Sequence, residues 1–212
     1  MAKNSTSFMN ERSLEYVVVP ELARIISANG SSVAPIFFWK SREGEARSAH
    51  THNGKMVRVV ALFARRPKIN EDSDIVSGKI NWQLINFAIE AYKHGIPSIA
   101  AFCAGRTLFE LDPVNAYWIS LWEKKEIEDI QFYQHNCDES PSLLRDDGTL
   151  ITTIHRERLA QSLLAVSEPM LFTTAIQRMD QLRPFITNNP YYFNAFLSSS
   201  YKPVYLLIEE PL

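Results

Sequence analysis

The stretch Met56-Val57-Arg58-Val59-Val60-Ala61-Leu62-Phe63-Ala64 carries one charge in nine residues. A strand this apolar on both faces has to be covered on both, which places it at the centre of a sheet with helices on either side. A second apolar run, Ile96 to Phe102, lies one helical segment downstream. In that segment, Lys79 to His94, the polar residues Gln83, Asn86, Glu90 and Lys93 form a narrow stripe on an otherwise apolar rod. Gly95 supplies the left-handed cap that ends such a helix. Two apolar strands joined by a short helical crossover run parallel. The expected fold class is therefore α/β, a mixed sheet with a parallel β-α-β centre and helices on both faces.

The rest of the chain fits around that centre. An apolar stripe from Leu14 to Ile26 marks a first helix over residues 10–28, in which Pro20 predicts a kink or a division into two helices. Val33 to Lys40 reads as a strand, and the tight-turn dipeptide Asn53-Gly54 makes it a candidate neighbour of the Met56 strand. Ile69 to Gly78 reads as a loop. Ala116 to Trp122 is a further strand by its aromatic and β-branched content, and Asp147-Gly148 a hairpin turn. Helices come next over Ile154 to Val166 and Met170 to Leu182, and Pro203 to Ile208 is a last buried strand. At 212 residues and 46% hydrophobic content the chain can bury a full core. With no linker or repeat to divide it, a single α/β domain over 1–212 is expected.

No apolar run approaches the roughly 18 residues of a membrane helix, and the first residues lack a signal-peptide core, so a cytoplasmic protein is expected. The two cysteines, Cys103 and Cys137, are too few for a disulfide framework.

A net charge of -2 hides an asymmetry. Between Trp39 and Ile69 eight cations face two acids, a net +6, whereas between Thr107 and Leu150 ten acids face three cations, a net -7. Such separation either steers a polyanion to one face or is neutralised within the fold. The central strand leads directly into Arg65-Arg66-Pro67-Lys68. Ligands of open α/β sheets sit beyond the carboxyl ends of the strands, so Arg65, Arg66 and Lys68 are candidate phosphate-binding residues. Arg106, in the small-residue turn Cys103-Ala104-Gly105-Arg106 after the second strand, would add a fourth cation to the same mouth. An ordinary strand-to-helix turn is the plainer reading of that segment, which lacks a full phosphate-binding glycine pattern.

Asp112, followed after ten intervening residues by Glu123-Lys124-Lys125, resembles the metal and water site of restriction-endonuclease-like nucleases. The resemblance is confined to Asp112–Lys125. It implies Asp112 and Glu123 as ligands of a Mg2+ ion and Lys125 as the residue that positions or deprotonates the attacking water. His50 and His52 share a face of any extended segment and form a second possible metal pair, with no third ligand nearby except the distant His135 and Cys137. Aromatic clusters at Phe37-Phe38-Trp39 and Tyr191-Tyr192-Phe193 are candidates for base stacking or for core.

These features point to recognition of a phosphate-bearing partner, nucleic acid ahead of free nucleotide, with metal-dependent phosphodiester cleavage as its enzymatic form. The alternatives are a non-catalytic α/β subunit that binds another protein, and a small-molecule nucleotide-binding enzyme built on the Cys103–Arg106 turn.

Overall fold

A computed structural model describes residues 11–28, 30–37, 54–65, 68–69, 76–103, 111–135, 142–187 and 202–209. In chain order the elements are α1 (Glu11–Ser27), β1 (Ser32–Phe37), β2 (Met56–Arg65), β3 (Lys68–Ile69), β4 (Val76–Ile80), α2 (Trp82–Lys93) and β5 (Ser98–Phe102). A 3-10 turn (Pro113–Asn115) then precedes β6 (Tyr117–Ser120), β7 (Ile130–His135), β8 (Ser142–Arg145), β9 (Thr153–Ile154), α3 (Arg156–Val166), β10 (Met170–Leu171), α4 (Phe172–Thr187) and β11 (Val204–Glu209).

Period-two alternation along β2 divides the interior in two. Val57, Val59, Ala61 and Phe63 join one cluster, with Leu84, Phe87, Ala88 and Ala91 of α2 and Ala175, Met179 and Leu182 of α4. Val60, Leu62 and Ala64 join the other, with Leu14, Val18, Leu22 and Ile26 of α1 and Leu159, Ala160 and Leu163 of α3. Helices thus cover both faces, α2 and α4 on one and α1 and α3 on the other. Phe87 is 2% exposed and meets Phe63 edge-to-face at 5.4 Å between ring centroids.

The strands of the main sheet run β1-β11-β2-β5-β6-β9, with β10 on the first residues of β2. The pair β2 and β5 is parallel, in register from Ala61 opposite Ser98 to Arg65 opposite Phe102, and the other pairings are antiparallel. The expected parallel centre is present. β1 is not the neighbour of β2, however, because β11 lies between them and pairs with both. The turn at Gly54 gives way to a more apolar partner, since Val204 to Ile208 are buried whereas β1 carries an exposed Pro35. α1 is one continuous helix with Pro20 inside it, rather than two. Pro20 and Tyr16 are both exposed, so water can meet the Tyr16 carbonyl that the proline leaves without its helical donor.

Within residues 69–78, which read as a loop, Ile69 and Val76 to Gly78 are strand residues. β3 and β4 form a second sheet with β7 and β8 in the order β3-β4-β7-β8, and Ile80, Ile130, Phe132 and Leu143 turn into the α2 side of the core. Gly78 opposes Phe132 across β4 and β7, and the ring lies where a side chain at 78 would stand: a Cβ there would be 2.3 Å from Phe132 Cζ. Phe132 in turn packs edge-to-face on Phe102 at 4.6 Å. That contact fixes the second sheet against the carboxyl end of β5.

Candidate functional site

Arg65, the last residue of β2, continues the alternation that turns Phe63 toward α2. It is buried. Beyond it, β4 runs into α2 with only Asn81 between them. Asn81 keeps an extended backbone and its Oδ1 accepts a hydrogen bond from the Leu84 N–H at 3.0 Å, so the helix starts at Trp82 and not at Lys79. Lys79, which the apolar pattern assigned to the helix, is instead a strand residue whose neighbours Gly78 and Ile80 oppose Phe132 and Ile130. The register that pairs Ile80 with Ile130 brings Asp129 beside the helix start. Its carboxylate accepts the Trp82 N–H at 2.7 Å and lies 2.6 Å from Lys79 Nζ.

Arg65, Lys79, Asn81, Trp82, Gln83 and Asp129 line one cavity of about 280 Å³. Two cations therefore stand at the amino-terminal end of α2, where the helix dipole is itself positive. The Asp129 carboxyl is held below the usual carboxylate range, chiefly by the Lys79 hydrogen bond; burial opposes the shift, and the Trp82 N–H and the Lys79 charge add to it. The electrostatics of this corner favour an anion, and one carboxylate of the protein already occupies part of it.

The other sequence candidates are distributed differently. Lys68 pairs through its backbone with Ser77 at the edge of the second sheet. Arg66 and Arg106 lie outside the described residues, as do His50, His52, Cys137 and the aromatics at Phe38-Trp39 and Tyr191-Tyr192-Phe193. Asp112 caps the 3-10 turn: one carboxylate oxygen accepts the Val114 N–H at 2.9 Å and the other the Asn115 side-chain amide at 2.6 Å. It sits at the carboxyl end of β5, where its backbone N–H reaches the Cys103 thiol. Glu123 and Lys125 are exposed and lie just past β6, whose end adjoins the amino end of β5 through the Leu121 N–H to Ser98 carbonyl bond of 3.0 Å. Asp112 and Glu123 are thus separated by the length of β5, about 3.3 Å for each of its residues. The structure does not bring these two carboxylates to one ion, because the antiparallel step from β5 to β6 puts the residues leading into β6 and those leaving it at opposite ends of the strand. Among the described residues no group of three His, Cys, Asp or Glu side chains is arranged to hold a metal.

Cys103 is buried, and burial pushes its thiol up to about 11 against the opposing Asp112 N–H. A thiol so held is a poor nucleophile at neutral pH. The charge blocks also resolve in part: Lys55 pairs with Glu209 and Glu128 with Arg145, each partner lying outside the opposing block. The chain has no match among protein families, curated proteins or solved structures.

Lys79, Trp82 and Asp129 were the residues that sequence reasoning missed. Trp82 had a legible signal: it stands four and eleven residues before Asn86 and Lys93, on the polar stripe and not on the apolar face. Asp129 had none, since its place depends on a strand pairing across some fifty residues of chain, roughly the separation that the Trp82 hydrogen bond spans.

Proposed function

We propose that the protein binds a phosphate-bearing partner, nucleic acid ahead of free nucleotide, at the carboxyl end of β2. The observation that carries this reading is the convergence of Arg65, Lys79 and the first turn of α2 on one cavity. Two cations beside the positive end of a helix create a local field that favours a bound anion. Asp129 answers that field in part, and a phosphate, with more charge and more acceptor oxygens than a carboxylate, answers it better. Arg66, Lys68 and Arg106 stay candidates for further phosphate contacts by their place in the sequence alone. Such a partner is met in the cytoplasm. Mg2+-dependent cleavage at Asp112, Glu123 and Lys125 is not part of the proposal, since those groups flank opposite ends of β5.

The test is the salt dependence of binding to a labelled mixed-sequence oligonucleotide. Affinity should fall steeply as salt rises, and Lys79→Ala should lower the slope of log K against log salt by about 1, the effect of one lost phosphate contact. Lys79→Glu should abolish binding. An unchanged slope in the folded alanine variant would remove the cavity from consideration. A charge reversal that leaves affinity intact would do the same.

A further inference from the structure

Resting on the phosphate-binding reading of the same cavity, we infer that Trp82 is a stacking platform, so that the ligand is a nucleotide unit with an unstacked base. The three tryptophans in the described residues differ sharply: Trp118 and Trp122 are 1% and 8% exposed, whereas Trp82 is 48% exposed. Folding has no use for that exposure. Trp82 contributes to the fold through its backbone N–H, which any residue except proline could offer to Asp129. Trp82 is also one of the residues that line the cavity with Arg65, Lys79 and Gln83, so its half-exposed side chain stands at the cavity's border. A large aromatic face in water beside two cations matches the two halves of a nucleotide, the cations taking the phosphate and the ring taking the base.

The dimensions agree with this division. A cavity of about 280 Å³ falls just below the roughly 300–1,000 Å³ of sites for drug-sized ligands, which suits one nucleotide unit and not the body of a duplex. Bases inside a duplex already stack on each other and present only their edges to the grooves, out of reach of an indole face. A single strand or a free nucleotide leaves that face open, and both share the chemistry that the cavity selects.

Four probes distinguish the sources: a single-stranded oligothymidylate, the same sequence as a duplex, AMP, and inorganic polyphosphate, which has the charge without a base. The single strand, or AMP if one unit suffices, should bind more tightly than the duplex and quench tryptophan fluorescence. Trp82→Ala should weaken that binding about 5- to 150-fold, the usual range for one base on one ring, and leave polyphosphate binding unchanged. Trp82→Phe should recover most of the affinity while losing the quench, which assigns the signal to this indole. If Trp82→Ala, folded by circular dichroism, binds the oligonucleotide as the wild type does while Lys79→Ala weakens it, the stacking role is overturned and the phosphate reading survives. Equal affinity for duplex and single strand without quenching also overturns it. If the wild type binds none of the four probes, both readings fall.

Discussion

Arg58 and Arg65 stand on the same strand, seven residues apart, and nothing in their local sequence separates their roles. The alternation of β2 sends them to opposite faces. Arg58 reaches the last turn of α3, where its guanidinium donates to the carbonyls of Leu164, at 3.1 Å, and Ser167. That is a cation at the negative end of a helix, a self-satisfying arrangement worth having for stability alone. Arg65 lines a cavity at the positive end of α2 beside another cation. One arginine completes the fold and the other faces a place where a ligand can enter. The difference teaches that on a sheet covered on both faces, the parity of a charge along the strand decides which helix end it meets.

The sharpest way to break this comparison is to loosen the layer on which the Arg65 end depends. Phe87→Ala removes the ring that packs between Phe63 and Tyr205, at 5.4 and 6.5 Å. It should cost about 3–5 kcal/mol, read as a lowered urea midpoint, and binding should fail with the fold. A loss below about 1 kcal/mol would mean that α2 does not anchor β2. Next in size, Arg58→Met keeps the aliphatic stem and deletes the charged donor, so it should cost about 1.5–3 kcal/mol, the range for hydrogen bonds to charged groups, while oligonucleotide affinity stays unchanged. Weakened binding by the folded Arg58→Met variant would erase the distinction between the two arginines.

The smallest effect belongs to Asp129, which is partly exposed. Asp129→Asn should lower stability by about 1 kcal/mol or less at neutral pH, yet it removes the resident negative charge and should tighten oligonucleotide binding several-fold. Its pH signature has a defined sign. Because the folded protein holds this carboxyl below its unfolded value of about 3.9, the stabilisation is present above about pH 4 and is lost as pH falls from there through the depressed folded value. The asparagine variant should lack that part of the acid loss. Tighter binding without it would show that Asp129 competes with the ligand but does not hold the helix.

Sequence pattern revealed the layers better than the site. β2 and β5 were legible because a strand buried on both faces is apolar throughout, and α2 because its polar stripe is narrow. The second sheet was hidden in short segments: Ile130 and Phe132 alternate with Gln131 and Tyr133 as a strand should, but the run is brief and abuts an acidic turn. At the site, Arg65 could be located because a strand end is a local feature. Lys79 was assigned to the helix because an apolar rod gives no mark of its first residue, and only the Asn81 cap decides it. The Asp112 and Glu123 pair looked plausible because sequence spacing does not say whether the chain reverses between two carboxylates or carries them apart.

The position of β11 has a consequence for how the molecule is made. β1 finds its described partner, and β2 one of its two long edges, in residues 204–209. During synthesis those residues emerge after everything they join, so a nascent chain that has completed α1 through α4 still presents β2 with a bare, apolar edge. The two halves of the sheet are held apart until a late segment threads between them, a long-range step that slows folding and leaves the unfinished chain adhesive. A chaperone that shields strand edges, or a pause in translation upstream of Val204, would act on that bare edge.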